Sequence, residues 1–75
     1  MITVKVKKVG FENGEFVVES SKQQFSSVDQ AVNWLQAQGF KLIDRDKLAE
    51  EIVGRHSTWE KDEGALITTA YVYLR

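Results

Sequence analysis

A chain of 75 residues has room for one domain with a modest core, since at this size only about 60% of the unfolded surface is buried. Cysteine is absent, which excludes disulfide staples, and the single histidine, His56, argues against a dedicated metal cage, leaving self-association as the stabilising device still open. Ten basic against eleven acidic residues give a net charge of -1, which removes a broad electrostatic case for nucleic-acid or membrane binding but leaves room for a local patch.

At 43% hydrophobic and 28% charged residues, the composition is that of a folded domain and not of a disordered chain. No apolar run reaches membrane-spanning length, and the opening M-I-T-V-K-V-K-K alternates instead of forming the apolar block of a signal peptide. Together these features point to a cytoplasmic protein, folded as a single domain over residues 1–75.

In chain order, Ile2, Val4 and Val6 alternate with Thr3, Lys5 and Lys7, the period-2 pattern of a half-buried strand. Val9 and Phe11 fall out of phase, and a bulge at Lys7-Lys8 would restore them to one face. Asn13-Gly14 then supplies two residues that tolerate positive φ, as a type I′ hairpin requires. Two-residue closure sets Phe11 opposite Phe16, Val9 opposite Val18 and Lys8 opposite Glu19, with Glu12 facing Glu15 at the tip.

Polar Ser20 to Gln24 reads as a loop into the best-specified element of the chain, an amphipathic helix. Ser27 and Gln30 have the spacing of a capping box, Asp29 suits the positive end of the helix dipole, and Val28, Ala31, Val32 and Leu35 form the core stripe. Gly39 stands where a left-handed stop belongs, with Phe40 placed to touch Leu35 in a Schellman motif. Phe40 to Ile43 is a short strand.

Asp44 to His56 reads as a second, weaker helix carrying Leu48, Ala49, Ile52 and Val53 on its stripe, with a Glu51–Arg55 ion pair and Gly54 as its stop. Ser57–Lys61 and Ala65–Leu74 form a second hairpin around a three-residue loop, Asp62-Glu63-Gly64, which places Trp59 opposite Ile67. The last strand is apolar on both sides and therefore central in its sheet. The order is β-β-α-β-α-β-β: an α+β domain with a mainly antiparallel sheet of four or five strands and two helices packed on one face.

Catalytic patterns are scarce. His56 beside Ser57 lacks the three-dimensional constellation that nucleophilic catalysis needs, and a solvated histidine at a helix end is the simpler reading. Glu60, Asp62 and Glu63 lack calcium-loop spacing and suit a solvated hairpin tip. No catalytic, cofactor or metal residue is assigned, and the chain reads as non-enzymatic.

The functional signal is aromatic. Trp59, Tyr71 and Tyr73 are expected to share a sheet face with Ile67, with Lys5 and Lys7 projecting from the same side. If the helices cover the other face, these six residues form a binding surface. The structural alternative is that a helix covers them, or that the tyrosine hydroxyls rim the core. The leading expectation is a protein interface or a homodimer. The same face with Lys8 nearby suits single-stranded nucleic acid as an alternative, and an acidic inhibitor presenting Glu12, Glu15, Glu60, Asp62 and Glu63 is a further one. The endings Q-A-Q-G-F-K-L-I and A-Y-V-Y-L-R resemble small bacterial and phage domains that pair a Gly-aromatic turn with an aromatic last strand; the resemblance carries no functional residue over.

Overall fold

The computed structural model describes residues 1–44 and 54–74. They form β1 (Ile2–Glu12), β2 (Glu15–Phe25), α1 (Val28–Ala37), β3 (Lys41–Asp44), β4 (Arg55–Glu63) and β5 (Leu66–Tyr73). All neighbouring strands are antiparallel, in the spatial order β2-β1-β5-β4-β3.

The expected pair of helices on the sheet is thereby corrected: among the described residues there is one helix, and the order is β-β-α-β-β-β. The proposed second helix fails at both ends, since Asp44 pairs with Thr58 in the sheet and His56 lies inside β4. Its stripe of Leu48, Ala49, Ile52 and Val53 lies outside the described residues.

The first hairpin forms as its turn chemistry dictates. Asn13 and Gly14 both have positive φ, 54° and 80°, and the register pairs Phe11 with Phe16, Val9 with Val18 and Lys8 with Glu19. Two details differ from expectation. The register runs unbroken from Ile2–Phe25 to Glu12–Glu15, so no bulge interrupts Lys7-Lys8. Ser20 to Gln24 also belongs to β2 and is not a loop. Ser20 to Gln24 lies on an edge strand and is exposed on both faces, so burial imposes no alternation there. Beyond Lys8 no described element covers this hairpin, so nothing forces Val9 and Phe11 onto the face of Val4.

Helix α1 is punctuated as its residues require. The Ser27 hydroxyl accepts the Gln30 N–H at 3.2 Å, while the Gln30 carbonyl oxygen reaches back one residue further than a standard box, accepting from the Ser26 backbone N–H at 3.2 Å and its hydroxyl at 2.6 Å. At the other end the Phe40 N–H donates to the Leu35 carbonyl and the Gly39 N–H to that of Gln36, the two bonds of a Schellman stop. The core lies between α1 and the sheet: Ala31, Leu35 and Phe40 pack on Ile2, Val4, Trp59, Ala70 and Val72. Trp34 bridges Phe25 and Phe40 at centroid distances of 5.7 and 6.4 Å. No described helix is long and apolar enough to cross a membrane.

Gly10 joins the far halves of two hairpins. Its φ is +154°, and a Cβ there would overlap the Ala65 carbonyl oxygen and lie 2.8 Å from the Leu66 Cα, beside the 3.1 Å bond from the Phe11 N–H to that same carbonyl. Gly14 has no atom within 4 Å of a built Cβ. Gly10→Ala is therefore expected to cost about 2–4 kcal/mol in urea unfolding, from overlap with backbone that cannot yield. Gly14→Ala should cost about 1 kcal/mol, from the positive φ alone. Equal costs for the two would contradict the close approach.

Candidate functional site

Residues directly opposite each other in an antiparallel pair point to the same side of the sheet, so the registers assign each strand residue to a face. On the side away from α1, Thr3 lies between Gln24 and Tyr73, Lys5 between Lys22 and Tyr71, Lys7 between Ser20 and Thr69, and Val9 between Val18 and Ile67. Strand β4 adds Thr58, Glu60 and Asp62 beside Tyr71, Thr69 and Ile67. No described element packs on this open face.

Five of the six residues singled out from the sequence meet there: Lys5, Lys7, Ile67, Tyr71 and Tyr73. Trp59 does not. It pairs with Ala70, is 5% exposed, and sits in the core on the helix side. The cause is the second turn, which uses two residues, Gly64 and Ala65, instead of three. Gly64 has φ +76° while Ala65 is not in the positive region, the sign pattern of a type II′ turn, and the Asp62 carboxylate accepts the Gly64 N–H at 3.0 Å. Asp62, not Trp59, therefore faces Ile67. An odd shift of register moves a side chain to the opposite face.

Lys22 is the residue that sequence reasoning missed. It was placed in a loop, yet continuing the hairpin register down β2 sets it directly across from Lys5. The Phe11 N–H bonds β5, so the odd residues of β1 direct their backbone groups to β5, and Lys5–Lys22 is a non-hydrogen-bonded pair, the kind whose side chains approach closest. Lys5, Lys7 and Lys22 are exposed and Tyr71 and Tyr73 half-buried. Together with Ser20 they line a shallow concavity of about 540 Å³. The Lys5 ammonium lies 5.1 Å from the Tyr73 ring centre, and the Arg55 guanidinium 5.7 Å from that of Tyr71.

Towards the hairpin tips the same face turns apolar. Phe11 and Phe16 make an edge-to-face pair at 5.6 Å yet stay 58% and 63% exposed, and Val18 and Ile67 are exposed beside them.

The other side of the sheet offers a concavity of about 640 Å³ between α1 and the outer half of the hairpins, with Trp34 and Phe40 in its wall. Its charges cancel: Lys8 faces Glu19, and the Lys61 ammonium is 3.6 Å from the Glu63 carboxylate, which also accepts from Thr68 at 3.3 Å. The acidic residues considered for an inhibitor surface are likewise divided, since Glu60 and Asp62 project from the open face and Glu63 from the helix face.

His56 is the extra residue of a bulge between Arg55 and Ser57, and its Nδ1 is 3.0 Å from the Ser57 hydroxyl. That hydroxyl accepts the Trp59 indole N–H at 2.9 Å and is 2% exposed, so it satisfies a buried donor and presents nothing to a substrate. Among the described residues no three or more His, Cys, Asp or Glu side chains are placed to hold a metal ion.

In the Trp34→Phe variant, the remaining Trp59 should emit at short wavelength and resist acrylamide quenching. Strong quenching would return Trp59 to the surface. No protein-family model matches this chain, and no curated protein or solved structure matches it either, so a functional reading rests on the geometry of the open face.

Proposed function

We propose that this chain is a non-enzymatic binding module working through the open face of its sheet, and that the ligand suited to that face is a single-stranded nucleic acid. The observation that carries this reading is the Lys5–Lys22 pair, with Lys7 one row away and Tyr71 and Tyr73 beside it. Like charges directly opposite each other weaken a sheet. A polyanion removes that repulsion, and a backbone tracking along Lys22, Lys5 and Lys7 would bring bases over the tyrosines. Glu60 and Asp62 on β4 would repel the strand and hold it to the β1–β2 side. A cytoplasmic location belongs to the same proposal, since that is where such a ligand is met.

A second reading, a protein partner on this face, is favoured by a different observation: the exposed Phe11, Phe16, Val18 and Ile67. The two readings predict opposite salt behaviour.

Fluorescence anisotropy with labelled single-stranded oligonucleotides separates them. Three lysine–phosphate contacts should give a log–log salt slope of about -2. Lys5→Glu and Lys22→Glu should each weaken binding markedly, and Tyr71→Ala by about tenfold through lost stacking. No anisotropy change at low salt, from a protein whose circular dichroism is intact, would remove nucleic acid from consideration.

A further inference from the structure

We infer that β2 pairs with β2 of a second copy, joining two domains into one continuous ten-stranded sheet. The argument concerns the edge of the sheet and does not depend on what its face binds.

The even-numbered residues of β1 direct their backbone groups to β2, because the odd ones bond β5. They are matched by the odd-numbered residues of β2, so the N–H and C=O groups of Phe16, Val18, Ser20, Lys22 and Gln24 point outward. Among the described residues no strand lies beyond β2, and none of the turn, loop and cap backbone bonds involves these five residues. An eleven-residue edge is a template for another strand unless it is blunted by proline, a bulge, shortness or charged side chains, and Lys22 is the one charge among these five residues. β2 has no proline and an unbroken register. The opposite edge contrasts with it: β3 is four residues long and its pairing is irregular between Leu42 and Asp44. A β2-to-β3 contact would propagate into a fibre, whereas β2 with β2 closes on a two-fold axis.

One register of β2 against its own copy uses the whole strand and sets no like charges opposite each other. A two-fold through Ser20, the middle of the strand, pairs all eleven residues with their counterparts. On the open face Phe16 then meets Gln24 of the partner copy, and Val18 meets Lys22, whose aliphatic stem covers the exposed valine. On the helix face Glu19 meets Ser21 and Val17 meets Gln23. No like charges stand directly opposite. Moving the axis by one residue is worse in either direction: through Glu19 it sets that carboxylate against its copy, and through Ser21 it leaves Glu15 and Phe16 unpaired. The two clusters of Lys5, Lys7 and Lys22 come to lie on one face, on either side of the seam.

Light scattering at rising concentration should show the mass approaching twice the 8.6 kDa chain. Ser20→Pro removes an outward N–H and no bond to β1, so it should weaken dimerisation at least about tenfold while leaving the circular dichroism spectrum unchanged. Val18→Lys sets the new lysine against Lys22 twice over and should weaken it by about tenfold. Combining it with Lys22→Glu should restore the dimer, because each lysine then faces a carboxylate. A monomer at all concentrations overturns the proposal, as does a dimer indifferent to Ser20→Pro. Should Ser20→Pro unfold, the charge exchange decides alone: failure of the double variant to recover dimerisation overturns the Ser20 two-fold.

Discussion

A ten-residue helix rises about 15 Å, whereas an eleven-residue strand extends about 36 Å, so α1 can cover only part of the β1–β2 hairpin. The chain enters α1 from the Phe25 end of β2 and leaves it through Gly39 to begin β3 opposite Glu60. Burial is therefore gathered at the end holding Ile2, Val4, Val72 and Trp59, and Trp34 closes it off by spanning Phe25 and Phe40. Past Lys8 and the still-buried Thr68 the hairpins run on with solvent on both sides. That is why Val9 and Phe11 can change face without a bulge, and why the largest exposed side chains collect near the tips.

Features governed by a few neighbouring residues were legible in the sequence. Asn13-Gly14 permits a turn that few other pairs allow, and it fixed the whole β1–β2 register. Ser27, Gln30, Gly39 and Phe40 delimited α1 because each satisfies a particular terminal N–H or carbonyl. Ser20–Gln24 was not legible as strand, because an edge strand exposed on both faces keeps no alternation for burial to impose. The second turn was ambiguous for another reason. A glycine at position 64 serves either a three-residue loop or the first place of a II′ turn, and the local Asp62 bond to Gly64 goes with a tertiary one-sided burial, that of Trp59 in the core with Ala31, Leu35 and Phe40.

Those two ambiguities reshaped the candidate site. Moving Trp59 to the core removed the largest stacking surface from the open face, while placing Lys22 in a strand added a third ammonium next to Lys5. The face is thus more cationic and less aromatic than the sequence implied, although the chain as a whole carries a net charge of -1. The separation occurs within one sheet, with lysines on β1 and β2, and on β4 the carboxylates of Glu60 and Asp62 towards the tip and Arg55 at the Tyr73 end. Formal charge summed over the molecule hides an arrangement of this kind.

Lys22 also tests whether face and edge have separate explanations. Lysine on an edge strand commonly serves to discourage unwanted pairing. Such a guard would work equally well at position 24, where its neighbour on β1 is Thr3 and no charge is opposed. At position 22 it stands against Lys5, and the folded monomer carries the repulsion. Protection of the edge therefore accounts for a lysine somewhere in β2 but not for this one. Its placement follows if the position is set by the open face, where two ammonium groups side by side and a third one row away make a site for an anion. The same placement leaves Ser20, a small neutral residue, at the centre of the strand, where a two-fold axis brings like side chains together at no electrostatic cost.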